Sequence, residues 1–91
     1  METALPYEDW IAAQRELKVL QRRIGMANLK HLEPMLWRVH RTLAIDCAPM
    51  VAALELKWVA EGMKAYPWLR KATINLANQI YHFPRAATDP L

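Results

Sequence analysis

Apolar residues return along this chain at steps of three and four. Trp10, Ala13, Leu17, Leu20 and Ile24 fall on one stripe of a helix, with Arg15, Lys18 and Arg22 almost opposite. The spacing predicts a first helix from about Pro6 to Ile24, with Glu8 and Asp9 well placed at its positive N-terminal end. Gly25 either ends this helix or marks a weak point in one continuing toward Leu32. A second stripe, Leu32, Leu36, Val39, Leu43 and Cys47, predicts a helix over about Glu33 to Cys47. Trp37 and Ile45 lie off that stripe, on the side of Arg38 and Arg41. A last stripe, Leu69, Thr73, Leu76, Ile80 and Phe83, predicts a helix from Tyr66-Pro67 to about His82 with a polar back of Lys71, Asn75, Asn78 and His82.

The segment between these two, about Pro49 to Ala65, has two apolar faces. Met50, Val51, Leu54, Trp58 and Ala65 share one, and Ala52, Leu56, Val59 and Met63 occupy nearly the opposite one. Such a helix is either sandwiched at the centre of a domain or meets a second molecule with its spare face. The expectation is that the Leu54 side faces the core and that Leu56, Val59 and Met63 are spare.

Prolines punctuate the pattern. Pro6, Pro34, Pro49 and Pro67 each stand at a helix start, where the missing N–H costs nothing, and Pro84 closes the last helix. Sustained apolar–polar alternation is absent, as are serine and any Asn-Gly or Asp-Gly turn. These features predict an all-α fold: a compact bundle of four short helices with Pro-initiated starts. It forms a single domain over residues 1–84, followed by a loose tail over 85–91.

Composition sharpens this picture at one point. Hydrophobic residues make up 54% of the chain, above the roughly 45–50% usual for soluble domains. A chain of 91 residues buries only about 60–65% of its unfolded surface, so some of these side chains are expected outside. Large exposed apolar patches mark contacts with partners or other subunits. Net charge is +3, and seven basic residues against two acidic ones are concentrated between Gln14 and Arg41. The single Cys47 excludes an internal disulfide, no apolar leader is visible, and no apolar run is long enough to cross a bilayer. A cytoplasmic protein without membrane contact is the expectation.

Catalytic chemistry finds little material. A serine nucleophile is excluded by composition. Cys47 and His40 stand seven residues apart, about 10 Å along one helix face, too far for a thiolate–imidazole pair. His31, His40 and His82 do not form a His-x-x-x-His or Glu-x-x-His spacing, and Gly25 and Gly62 are too far apart for a phosphate-cradling loop. The segment His40-Arg41-Thr42-Leu43-Ala44 lacks the Lys-Gly pair of a histidine phosphotransfer domain. No enzyme activity, metal, cofactor or small-molecule substrate is therefore expected.

What remains is binding. Tryptophan and arginine are enriched at interface hot spots, so Trp37, Arg38, Arg41 and Ile45 form a candidate contact patch beside the spare face of Leu56, Val59 and Met63. The expected function is a small helical protein–protein interaction module: an assembly factor, adaptor or inhibitor, homo-oligomers included. By size alone it resembles phage or bacterial accessory proteins. The alternative is a nucleic-acid-binding regulator that sets Arg15, Lys18, Arg22 and Arg23 against phosphates. Trp10 and Trp58 are expected in the core, and Trp68 as a staple at the junction of the last two helices.

Overall fold

In the computed structural model, which describes residues 7–83, four α-helices follow one another: α1 (Tyr7–Met26), α2 (Glu33–Ala44), α3 (Pro49–Glu61) and α4 (Pro67–Tyr81). A single 3₁₀ turn, Lys30–Leu32, leads into α2, and the described residues contain no strand. The all-α bundle follows directly from the 3.6-residue periodicity. Pro34, Pro49 and Pro67 each occupy one of the first two positions of a helix, where the backbone lacks an intrahelical acceptor anyway. The expectations for Pro6, Pro84 and the tail 85–91 lie outside the described residues.

The helix ends differ from the periodicity, and each difference has a local cause. α1 runs through Gly25 and stops at Met26. Asn28 then turns into the left-handed region at φ 61, Leu29 N–H donates to Ile24 C=O at 2.9 Å and Asn28 N–H to Gly25 C=O at 3.1 Å. That pair of bonds is a Schellman cap, and Asn is the commonest residue after glycine to supply its left-handed position. α2 ends at Ala44, short of the expected Cys47. Cys47 takes φ 53, so it leaves the helix and makes the corner into Pro49. α3 stops at Glu61 rather than Ala65: at Gly62 the backbone leaves helical geometry, at φ −80 and ψ 1, and the chain tightens into Gly62 N–H to Val59 C=O and Met63 N–H to Ala60 C=O bonds, both 3.0 Å.

One core unites the helices. α3 packs most extensively on α4 and next on α2, while α1 lies against α2 and α4. The first stripe is buried or half-buried throughout, with Leu17, Leu20 and Ile24 inside and Trp10 packed against the core. Leu32, Leu36, Val39 and Leu43 of the second stripe are buried, as are Leu69, Thr73, Leu76 and Ile80 of the last. Each large aliphatic side chain so buried stabilises the fold by about 1.5–3 kcal/mol before cavity terms. Two buried threonines satisfy their hydroxyls within their own helices, Thr73 by donating to Leu69 C=O at 2.8 Å and Thr42 to Arg38 C=O at 2.9 Å.

α3 is two-faced as its sequence requires, but the faces are exchanged. Leu56, Val59 and Met63 are completely buried, together with Ala52, Ala53 and Ala60. Leu54 and Trp58, expected inside, are exposed. Hydrophobicity is similar on both sides, so residue size decides: three alanines on the buried arc let neighbouring helices approach closely, which the Trp58 side would not allow.

Candidate docking surface

The exposed face of α3 does not stand alone. A short connection, Ile45–Ala48, folds α2 back against α3. Arg38 Nε lies 3.4 Å from Glu55 Oε2 across the seam. Met35 and Trp58 line one shallow depression, and Thr42 and Val51 a second. The two helices are therefore antiparallel, with Arg38 opposite Glu55. Both depressions share Arg38, Val51 and Glu55 as walls, so they form one continuous face along the α2–α3 seam.

That face is apolar and open. Trp58 is 74% exposed, Ile45 70%, Trp37 56%, Leu54 54% and Val51 40%. α2 carries Trp37, α3 carries Val51, Leu54 and Trp58, and Ile45 stands in the connection between them. With roughly 150–250 Å² per large side chain, these residues leave about 500 Å² of apolar surface, within the range of the largest patches on monomeric proteins. Trp37 makes an edge-on contact with His40, with ring centroids 6.2 Å apart, but is otherwise free to meet a partner.

Charge on the face is sparse and unevenly solvated. The Arg38 side chain is 79% exposed whereas that of Glu55 is only 24% exposed. Glu55 Oε1 is buried and has no hydrogen-bond partner among the described residues. An ion pair so open to water contributes little to stability, about 0–1 kcal/mol.

Of the contact residues expected from the sequence, Trp37, Arg38 and Arg41 are exposed on this face, and Ile45 is exposed in the connection between α2 and α3. Leu56, Val59 and Met63 are not; they are core and cannot meet a partner without unfolding. Their place is taken by Val51, Leu54 and Trp58, whose i, i+3, i+7 spacing signalled a helix face but not its direction. The basic residues Arg15, Lys18, Arg22 and Arg23 are all exposed on α1. Arg23 lies over the Trp68 ring at 5.0 Å, a cation–π contact that joins α1 to the start of α4. Trp68 thus reaches α1. Tyr66, at the α3–α4 junction, also reaches the end of α1, where its hydroxyl donates to Ala27 C=O at 3.1 Å.

Reactive groups are dispersed. Cys47 sits at the corner outside α2, His31 and His82 are exposed, and His40 is half-buried beneath Trp37. Among the described residues, no three His, Cys, Asp or Glu side chains come together where they could hold a metal ion. No described helix is long and apolar enough to cross a membrane. No family model matches the chain, and neither a curated protein nor a solved structure is similar to it.

Proposed function

We propose that this protein is a non-catalytic interaction module that binds another protein chain through the α2–α3 face. The observation that carries this reading is the run of large apolar side chains along one seam, Trp37, Ile45, Val51, Leu54 and Trp58, in a chain whose core is already filled by other residues. Side chains this large gain nothing from the fold by staying in water, while a partner that covers them gains about 25 cal/mol for each Å² removed from solvent. Two antiparallel helices with an apolar seam suit a helix as ligand, which lays its own stripe between them. The basic rim, Arg38 and Arg41, sets orientation and encounter rate more than affinity.

A photo-crosslinking residue at Leu54 should give discrete protein adducts in the cells that express this chain. The same probe at Asn78, exposed on the polar back of α4, should give none. Identical adduct patterns from the two positions, or none from either, would defeat the reading.

Nucleic-acid binding is the second reading, supported by the exposure of Arg15, Lys18, Arg22 and Arg23 along α1. It requires duplex binding that weakens steeply with salt and is lost on double reversal of Arg15 and Arg22 to Glu. Binding unchanged by that reversal would dismiss the basic helix as the contact.

A further inference from the structure

We infer that the surface around the start of α4 binds a single strand of nucleic acid, with one base stacked on Trp68 and the adjoining phosphates on Arg22 and Arg23 to one side and Lys71 to the other. This site has no residue in common with the α2–α3 face. It shares Arg22 and Arg23 with the duplex reading, from which the test below separates it.

The first ground is a charge pattern that only the tertiary structure assembles. Two depressions flank Pro67-Trp68. One, of about 550 Å³, is walled by Arg22, Arg23 and Met26 from the end of α1 and by Tyr66 and Trp68 from the start of α4. The other is walled by Lys64, Pro67, Arg70 and Lys71. Neither wall contains a carboxylate. Glu61 stands beside the second, 3.3 Å from Arg70 and 3.6 Å from Lys64. Five cations against that one acid give these residues a net charge of +4, compared with +3 for the whole chain. Among the described residues, Arg22, Arg23 and Lys71 make no ion pair, so they are the cations open to an anionic partner.

The second ground is the aromatic ring set between these cations. Trp68 is 58% exposed and does not fill the core. Arg23 covers the ring with its guanidinium, 5.0 Å from the centroid. An exposed cation–π contact is weaker than the stacking of a base on an aromatic ring, so a base can take the place of the guanidinium and leave it to a phosphate. Cations alone would serve any polyanion. The ring selects one whose units carry a flat face, and a duplex keeps those faces stacked on one another.

The third ground is continuity. Arg15 and Lys18 stand four positions before Val19 and Arg22, which line the first depression, and so lie one turn along the same side of α1. Lys71, three residues after Trp68, extends the row along α4 in the other direction. A strand crossing Trp68 keeps cations beside it on both sides.

Fluorescence anisotropy of a labelled oligothymidylate of about 12 nucleotides, titrated with the full chain, tests this. The wild-type chain should bind, and log affinity should fall against log salt with a slope of about −2, as three phosphate contacts on a single strand require. Trp68→Leu, at an exposed position, should weaken binding about tenfold or more, and Trp68→Phe, which keeps a ring, should recover most of the loss. Arg22→Gln combined with Lys71→Gln should reduce the slope to about −0.7. All three variants should keep the helical circular dichroism of the wild type. No binding at about 100 µM protein in low salt would overturn the inference, as would a Trp68→Leu protein that binds as tightly as the wild type. Duplex bound in preference to the strand would also remove it, while leaving the duplex reading standing. Attachment to phosphatidylglycerol vesicles without binding to the strand would assign this surface to a lipid headgroup layer instead.

Discussion

Exchange of the two faces of α3 can be tested with a pair of leucines two positions apart. Leu56 is fully buried and Leu54 is 54% exposed, although the sequence pattern assigns them the opposite way. Replacing Leu56 by Ala removes three carbons from the centre of the core. The transfer term alone is about 2.4 kcal/mol at about 0.8 kcal/mol per carbon. The cavity left between α3 and its neighbours adds to this, giving about 3–4 kcal/mol, within the range of measured Leu→Ala costs. At Leu54 less than half of the same surface is withdrawn from water and no cavity forms, so Leu54→Ala should cost at most about 1 kcal/mol. For a domain of this size each kcal/mol shifts the midpoint by about 4–8 °C. Thermal denaturation followed by circular dichroism at low concentration, where any self-association is minimal, should therefore show a fall of at least about 12 °C for Leu56→Ala. Leu54→Ala should fall by only a few degrees. Equal losses, or a larger loss at Leu54, would show that the helix is rotated from the orientation described and would remove the docking face with it.

Other substitutions probe the joints of the fold. Gly62→Ala should destabilise by about 1 kcal/mol in urea titration: the new methyl meets the buried Leu32 side chain, and that overpacking exceeds the roughly 0.4–1 kcal/mol gained by restricting the unfolded chain. A more stable Gly62→Ala protein would mean that Leu32 moves aside freely. Tyr66→Phe should cost about 0.5–1.5 kcal/mol by the same measurement, because it deletes the hydroxyl that closes on Ala27 C=O across the α1 end. No change would show that water replaces the bond at no cost. Thr73→Val should change stability by less than about 1 kcal/mol, since the Leu69 carbonyl keeps its helical role and the site is otherwise apolar. A loss of several kcal/mol would mean that the contact with Met63 Sδ at 3.2 Å matters more than its chemistry implies.

Legibility of the fold followed the contrast between faces. Where one side of a helix is apolar and the other charged, as in α1 and α4, the stripe named from spacing is the stripe that is buried. α2 was legible up to Leu43, but its end was not, since Cys47 carries no turn signature and takes its left-handed conformation from the way α3 is drawn back over α2. At Gly25 the glycine suggested an end, whereas Asn28 supplies the cap, because the Schellman bonds need a left-handed residue at a position fixed by where Leu29 can reach the core. Half of the candidate surface, Trp37, Arg38, Arg41 and Ile45, was visible as residues off a core stripe. The other half was assigned to the wrong side.

The sequence by itself determined that this chain is helical, where most of its helices begin, and that it has more apolar side chains than its core accommodates. Those properties are local, set by proline geometry, by periodicity and by composition. Only the tertiary structure decided which surplus is exposed. For α3, apolar on both sides, hydrophobic free energy hardly distinguishes one orientation from the other. Close packing does: alanines face inward so that neighbouring helices can approach, and Leu54 and Trp58 are left on the outside beside Arg38, a neighbour brought there only by the folding of α2 onto α3.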